Sequence, residues 1–327
     1  MIRRALLAAL LLVAACGRSP GPAAPPAPDA PTPRVAPPAS SPEAAALRPE
    51  TGDFALDPRA DLAIRWPTGG EGFQPMSYAG SDGDRVPALL QLAPGRERLP
   101  AILLGHGHGA SAEYIADHLV EGFAGKGVHL LAPDHPFHGE RRRHERGDLC
   151  PDRPELLVAR WLRAVKDLRR AVAVLRRHPR VDPRRIGYVG FSLGGVLGGL
   201  LAANEPDLAA VVLVAPAGGW KELAASPSAW KLGWNRRLLP EWLKDPRLAT
   251  LLATVDPART IARFAPRPLL IVAGRSDTVI RPEAAEALHR AAGKGAEIAF
   301  HPGGHGPGPR ALRHLSDWIL GHLRTAR

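Results

Sequence analysis

The stretch VGFSLGGVLGG, residues 189–199, sets five glycines around one serine, Ser192. It is either a nucleophile on a tight turn or a glycine-rich bend before a buried helix, and its flanks decide between these. Residues 186–189, Ile-Gly-Tyr-Val, read as a buried strand, and residues 196–203 read as the start of a helix. Gly190-Phe-Ser-Leu-Gly194 therefore fits G-x-S-x-G between a strand and a helix. In that context the chain turns sharply and holds a serine hydroxyl at the apex. Gly190 and Gly194 are the small residues that let strand and helix approach. A phosphate-cradling loop does not fit. No G-x-G-x-x-G register contains these glycines, because Ser192 occupies the second glycine position, and no Gly-Lys-Ser/Thr follows.

A serine nucleophile needs a base, and the base needs an orienting acid. After an elbow of this kind, the acid follows a later strand and the histidine comes last. Residues 269–273 read as a strand and lead into Gly274-Arg-Ser-Asp277, which puts Asp277 on the loop at the strand's carboxyl end. Residues 296–300 form another strand and run into His301-Pro-Gly-Gly-His305-Gly. His305, between glycines on a loop, is the candidate base; His301, at the strand end, is the weaker one. Oxyanion donors are expected from backbone N–H groups. The first is Leu193, next to the serine. The second is His108 in Gly105-His-Gly-His-Gly109, after the strand at 101–104, with Gly107 as the fallback. This chemistry needs no cofactor.

The remaining runs fit one architecture. Residues 101–104, 129–132, 186–189, 210–214 and 269–273 alternate with helical patterns. Leu157, Trp161, Val165, Leu168, Val172 and Leu175 recur three or four residues apart, one face of a long helix. Strands alternating with helices imply an α/β fold, a mostly parallel central sheet with helices on both faces. Met76-Ser-Tyr and residues 86–92 read as an antiparallel pair leading into it. With 327 residues, 45% of them hydrophobic, one large core is within reach. Residues 220–264 interrupt the alternation with Trp220, Trp230, Trp234 and Trp242. This helical insertion is either a lid over a pocket or an ornament packed on the sheet.

Charge and cysteine content narrow the partners. The formal net charge is +11, but the basic residues are scattered, with no aromatic-interleaved strip and no nucleic-acid module, so nucleic acid is not expected as a partner. The run Glu140-Arg-Arg-Arg-His-Glu-Arg146 reads first as a solvated charge run, though its place at a strand's carboxyl end would also suit an anionic substrate group. A metal centre is not expected. His106, His108, Asp134, His135 and His138 lack the H-x-H-x-D-H arrangement, since Ala110 and Ser111 stand where Asp and His are required. Of the two cysteines, Cys150 in Asp-Leu-Cys-Pro-Asp reads as a bystander thiol.

The N-terminus, MIRRALLAALLLVAACGRS, has Arg3 and Arg4 before an apolar stretch of 11 residues, 5–15. That is too short to span a bilayer and suits an export signal. Its end, Val13-Ala-Ala-Cys16, resembles the lipobox of bacterial lipoproteins. The resemblance implies diacylation of Cys16 and a lipid anchor in the bacterial cell envelope. Gly17-Arg18 follow, with no Asp after the cysteine, and by analogy with enterobacterial sorting that leans toward the outer membrane. Residues 1–16 are then a signal peptide. Residues 17–51, rich in proline and alanine, are a solvated stalk, and residues 52–327 are the folded domain.

GHGHG, DHPFHGER, VDPRRIGYVGFSLGG, AGRSDTVI and PGGHG, in that order, resemble the α/β-hydrolase superfamily. The nearest groups are the dienelactone-hydrolase-like and acetyl-xylan-esterase-like serine esterases, and the likeness covers residues 75–325. It implies the α/β-hydrolase fold and a serine esterase acting on a small ester through Ser192, Asp277 and His305. Dienelactone hydrolases carry a cysteine nucleophile where this chain has Ser192, which argues against dienelactone as substrate. An amidase, peptidase or thioesterase would use the same three residues. A non-catalytic tethered binding lipoprotein is the alternative from another class.

Overall fold

The computed structural model describes residues 54–57, 59–225 and 238–326. The expected signal peptide (1–16), Cys16, the stalk (17–51), Trp230 and Trp234 lie outside the described residues. Among the described residues, no helix is long and apolar enough to cross a membrane.

Eight strands make one sheet. They are β1 (Gln74–Ala79), β2 (Arg85–Gln91), β3 (Leu99–Gly105), β4 (His129–Pro133), β5 (Val181–Phe191), β6 (Leu208–Val214), β7 (Leu269–Gly274) and β8 (Ala296–His301). Their order is β1-β2-β4-β3-β5-β6-β7-β8. β1 pairs antiparallel with β2, and β2 with β4, while all pairs from β4 to β8 are parallel. Helices cover both faces, so the inner strands are apolar on both sides, as parallel sheets require. Ile102, Leu104, Val189, Val212, Val214, Leu270 and Val272 point to one face. There they meet α1 (Ala112–Phe123) and the C-terminal α9 (Pro309–Thr325). Ala101, Leu103, Tyr188, Val211, Leu213 and Ile271 point to the other face. They meet α2 (Pro154–Arg177), α3 (Leu193–Asn204) and α8 (Pro282–Ala292). The expected stripe on α2 is buried from Leu157 to Leu175.

Two boundaries differ from the sequence reading. β5 begins at Val181, five residues early, with a register shift against β3. Pro183 cannot donate to a ladder and is tolerated only at such an irregularity. α3 begins at Leu193 and takes in Gly194 and Gly195, which helix propensity alone disfavours.

The insertion at 220–264 holds α4 (Trp220–Ala224), α5 (Leu238–Lys244), α6 (Pro246–Ala253), α7 (Pro257–Thr260) and a short 3-10 turn. Trp220 is buried against Trp161, with ring centroids 5.4 Å apart, and donates its indole N–H to Leu252 O at 2.8 Å. Trp242 packs on the same core. These two rings are packing residues.

The run 140–146 is not a uniformly solvated strip. Residues Gly139–Arg143 form a 3-10 turn that buries Arg141, whose side chain is 1% exposed. Its guanidinium meets Asp84 Oδ2 at 2.6 Å, Asp167 Oδ2 at 2.8 Å and Glu145 Oε1 at 3.0 Å. Burial alone would lower its pKa, but the Asp167, Asp84 and Glu145 carboxylates outweigh burial and raise it. Arg163 shares Asp84 and Glu145. Arg143 lines a cleft of 320 Å³ together with Glu113 and Glu140, so that cleft is not a purely cationic receptor. Removing one member of a buried ion network costs about 3–5 kcal/mol, because the other charges stay buried and unpaired. Arg141→Ala is therefore expected to lose that much in urea unfolding. A loss below about 1 kcal/mol, the range of exposed pairs, contradicts the burial argument.

Candidate active site

The elbow between β5 and α3 is steric in origin. Ser192 sits at φ 55, ψ −115, a region that L-residues rarely adopt, and such strain costs of order 1–3 kcal/mol. A Cβ added to Gly190 would stand 2.3 Å from Gly194 O, and one added to Gly194 would stand 2.3 Å from Gly105 O. Both neighbours are backbone and cannot step aside, so only glycine fits. Ser192 N donates to Val214 O at 2.8 Å. Beneath the turn, the buried Tyr188 hydroxyl donates to Gly194 O at 2.6 Å.

Ser192, Asp277 and His305 come together from three loops. Ser192 Oγ lies 2.9 Å from His305 Nε2, and His305 Nδ1 lies 2.8 Å from Asp277 Oδ2. The Asp277 side chain is 1% exposed, and its Oδ1 accepts the N–H groups of Val279 at 2.8 Å and Ile280 at 3.0 Å. The loops after β7 and β8 are tied together: Arg275 N donates to His301 O, and Ser276 N to Gly303 O. His301 turns elsewhere, its Nδ1 accepting from Gly303 N at 3.2 Å.

Gly107 lies against the serine, since its added Cβ would be 3.4 Å from Ser192 Cβ. Leu193 is the first residue of α3, and its N–H has no partner within the helix. The Gly107 carbonyl is held twice, by Ala110 N at 3.2 Å and by His106 Nδ1 at 2.9 Å. His106 Nε2 accepts from the backbone N–H of His135 at 3.0 Å, so Nδ1 carries the proton. The 107–108 peptide is trans, and the N–H of His108 therefore points opposite to that fixed carbonyl. The His108 side chain itself reaches Asp148 Oδ1 at 2.9 Å.

Sequence reasoning missed this anchoring by His106. It also missed Asp134, which is 4% exposed. Asp134 Oδ1 accepts from Ala112 N and its Oδ2 from Glu140 N, both at 2.8 Å, joining the start of α1 to the 3-10 turn. The sequence signal was there, in GHGHG and DHPFHGER, but each block binds the other only across β3 and β4.

The buried histidines set the acid sensitivity of this region. Burial pushes His106 down to about 3 and His138 to about 4. In the unfolded chain both return to about 6.5. Between those limits the unfolded chain binds more protons, so stability is full above about pH 6.5 and falls as pH drops toward 4. The slope approaches about 1.4 kcal/mol per pH unit for each histidine. Urea midpoints are expected to fall between pH 7 and pH 5, and a flat profile contradicts buried neutral imidazoles.

The family described as serine aminopeptidase, S33, matches residues 96–262. Among curated proteins, the polyketide transferase ATR5 of Stachybotrys chlorohalonatus is 35% identical over 125 residues, 38% of this chain. The chain spans 39% of that relative's length. Among solved structures, acetyl xylan esterase 1 of Thermoanaerobacterium superposes with a TM-score of 0.65 at 20% identity, covering 81% of this chain and 89% of the esterase. The acetyl xylan esterase of Paenibacillus superposes with a TM-score of 0.68 at 19% identity, covering 81% and 90%. The shared fold is that of the α/β hydrolases.

Proposed function

The chain belongs to the serine aminopeptidase family of α/β hydrolases, and from that premise we propose that it is a serine carboxylesterase. The observation that carries this reading is the continuous hydrogen-bonded line from Ser192 through His305 to Asp277 at the apex of a strained elbow. Ser192 Oγ attacks the ester carbonyl. His305 Nε2 takes the hydroxyl proton and returns it to the leaving alcohol. Asp277 holds Nδ1–H toward itself and stabilises the imidazolium. Water, deprotonated by the same nitrogen, then attacks the acyl-enzyme and releases the acid. The N–H groups of Leu193 and His108 face the oxyanion, and losing one such donor typically costs about 2.7–4 kcal/mol of transition-state stabilisation. Nitrophenyl esters of increasing acyl length, assayed beside aminoacyl nitroanilides, test the reading. Turnover of esters alone, or at far higher kcat/KM, supports it. Preference for the anilides replaces it with an aminopeptidase, the reading favoured by the family's description.

The membrane-facing half of the proposal rests on sequence. Export, cleavage before Cys16 and diacylation there would tether the domain through the 17–51 stalk in the bacterial envelope. Mass spectrometry of the mature N-terminal peptide tests it. A diacylated Cys16 is expected, and an unmodified N-terminus at any other residue overturns it.

A further inference from the structure

We propose that His108, Asp148 and Cys150 form a binding site for a divalent cation of the zinc class, one of its ligands being the side chain of the residue whose backbone is the proposed oxyanion donor. The site itself does not depend on the esterase reading. Sequence alone left Cys150 a bystander, because Asp148 is two residues away but His108 comes from a loop some 40 residues earlier. One ligand atom from each residue lies within 4.8 Å of the other two. From that separation, small side-chain rotations bring all three onto one ion, with zinc holding nitrogen and oxygen at about 2.0–2.2 Å and sulfur at about 2.3 Å. The set mixes imidazole, carboxylate and thiolate. Calcium and magnesium prefer oxygen alone, whereas zinc accepts all three donors.

His138 stands beside the cluster, its ring against that of His108. It is 1% exposed. Its Nδ1 lies 2.8 Å from the Pro136 carbonyl, so Nδ1 donates and Nε2 keeps its lone pair. That Nε2 is buried and has no hydrogen-bond partner among the described residues. Its ring stands edge-on to His108, 5.3 Å between centroids. An imidazole fixed by a carbonyl at one nitrogen, with a lone pair free at the other, is the form in which metal-ligating histidines are held. Exposure grades across the cluster. Asp148 is 45% exposed and His108 13% at the side chain, while Cys150 is buried, so the carboxylate is the point of entry. Coordination is an exchange without electron transfer. The Cys150 thiol gives its proton to solvent and its sulfur lone pair to the cation.

The test uses full-length Cys16→Ser protein, stripped with a chelator, in which Cys150 is the sole thiol. Cobalt(II) is titrated in, and the near-ultraviolet thiolate-to-cobalt absorption is followed. A band saturating at one cobalt per chain and removed by stoichiometric zinc is expected. Cys150→Ala in that background abolishes the band. Asp148→Asn weakens zinc binding about tenfold or more. Circular dichroism checks that both variants fold, and the band in the parent protein decides the matter without them. No thiolate band at saturating cobalt, or a band that survives Cys150→Ala, overturns the proposal.

Discussion

Ser192→Ala is expected to lower kcat on nitrophenyl esters by roughly 10⁵–10⁶-fold, with KM little changed. The hydroxyl is the only atom group removed, and it is the one that His305 Nε2 meets at 2.9 Å. Among the described residues, Gly107 and Phe191 flank the position with backbone and apolar atoms. The residual rate should reflect the oxyanion donors and substrate binding alone. His305→Ala should fall to a similar level, and the double variant no further, because the two residues act as one unit. Stability moves the other way in a second variant. Ser192→Gly removes the side chain from φ 55 and should stabilise the fold by about 1 kcal/mol while losing the same activity. Urea unfolding and steady-state kinetics on the same preparations check both halves. A Ser192→Ala protein with more than a few per cent of wild-type turnover contradicts the assignment.

Asp277→Asn is expected to lower kcat by about 10⁴-fold with the fold intact. The carboxylate has two separate jobs. Oδ1 takes the N–H groups of Val279 and Ile280, and Oδ2 faces His305 Nδ1. An asparagine keeps an oxygen for the two backbone donors, so the loop after β7 should hold its shape. Its NH₂ then faces Nδ1, which must accept rather than donate. That moves the imidazole proton to Nε2, the nitrogen that has to receive the proton of Ser192. The loss should therefore fall on kcat at neutral pH and not on thermal stability. An Asp277→Asn enzyme within tenfold of wild type contradicts the orienting role.

Much of this arrangement was legible in the sequence because its cues are local. Gly190 and Gly194 mark the elbow from either side of Ser192, and apolar runs of four or five residues mark β3 to β7. Asp277 and His305 each follow their own strand directly. Strands in a parallel sheet end at one edge, so residues just past those ends meet there whatever lies between them. What escaped notice was what depends on contacts between loops. Arg141 looked like one of four equivalent arginines in the 140–146 run until Asp84 and Asp167, from β2's approach and α2, enclosed it. His106 was weighed only as a metal ligand, yet it fixes the Gly107 carbonyl through a tautomer set by the backbone of His135. The start of α3 was read three residues late because Gly194 and Gly195 are poor helix formers, and the close approach of Gly105 overrides that preference.

The central claim is that Ser192 is an activated nucleophile. Incubation of the wild-type protein with a fluorophosphonate, followed by peptide mass spectrometry, tests it most directly. The expected result is a single covalent adduct on Ser192, formed far more slowly in His305→Ala and absent in Ser192→Ala. An intact, folded wild-type protein that takes up no adduct, or carries it on another residue, contradicts the account.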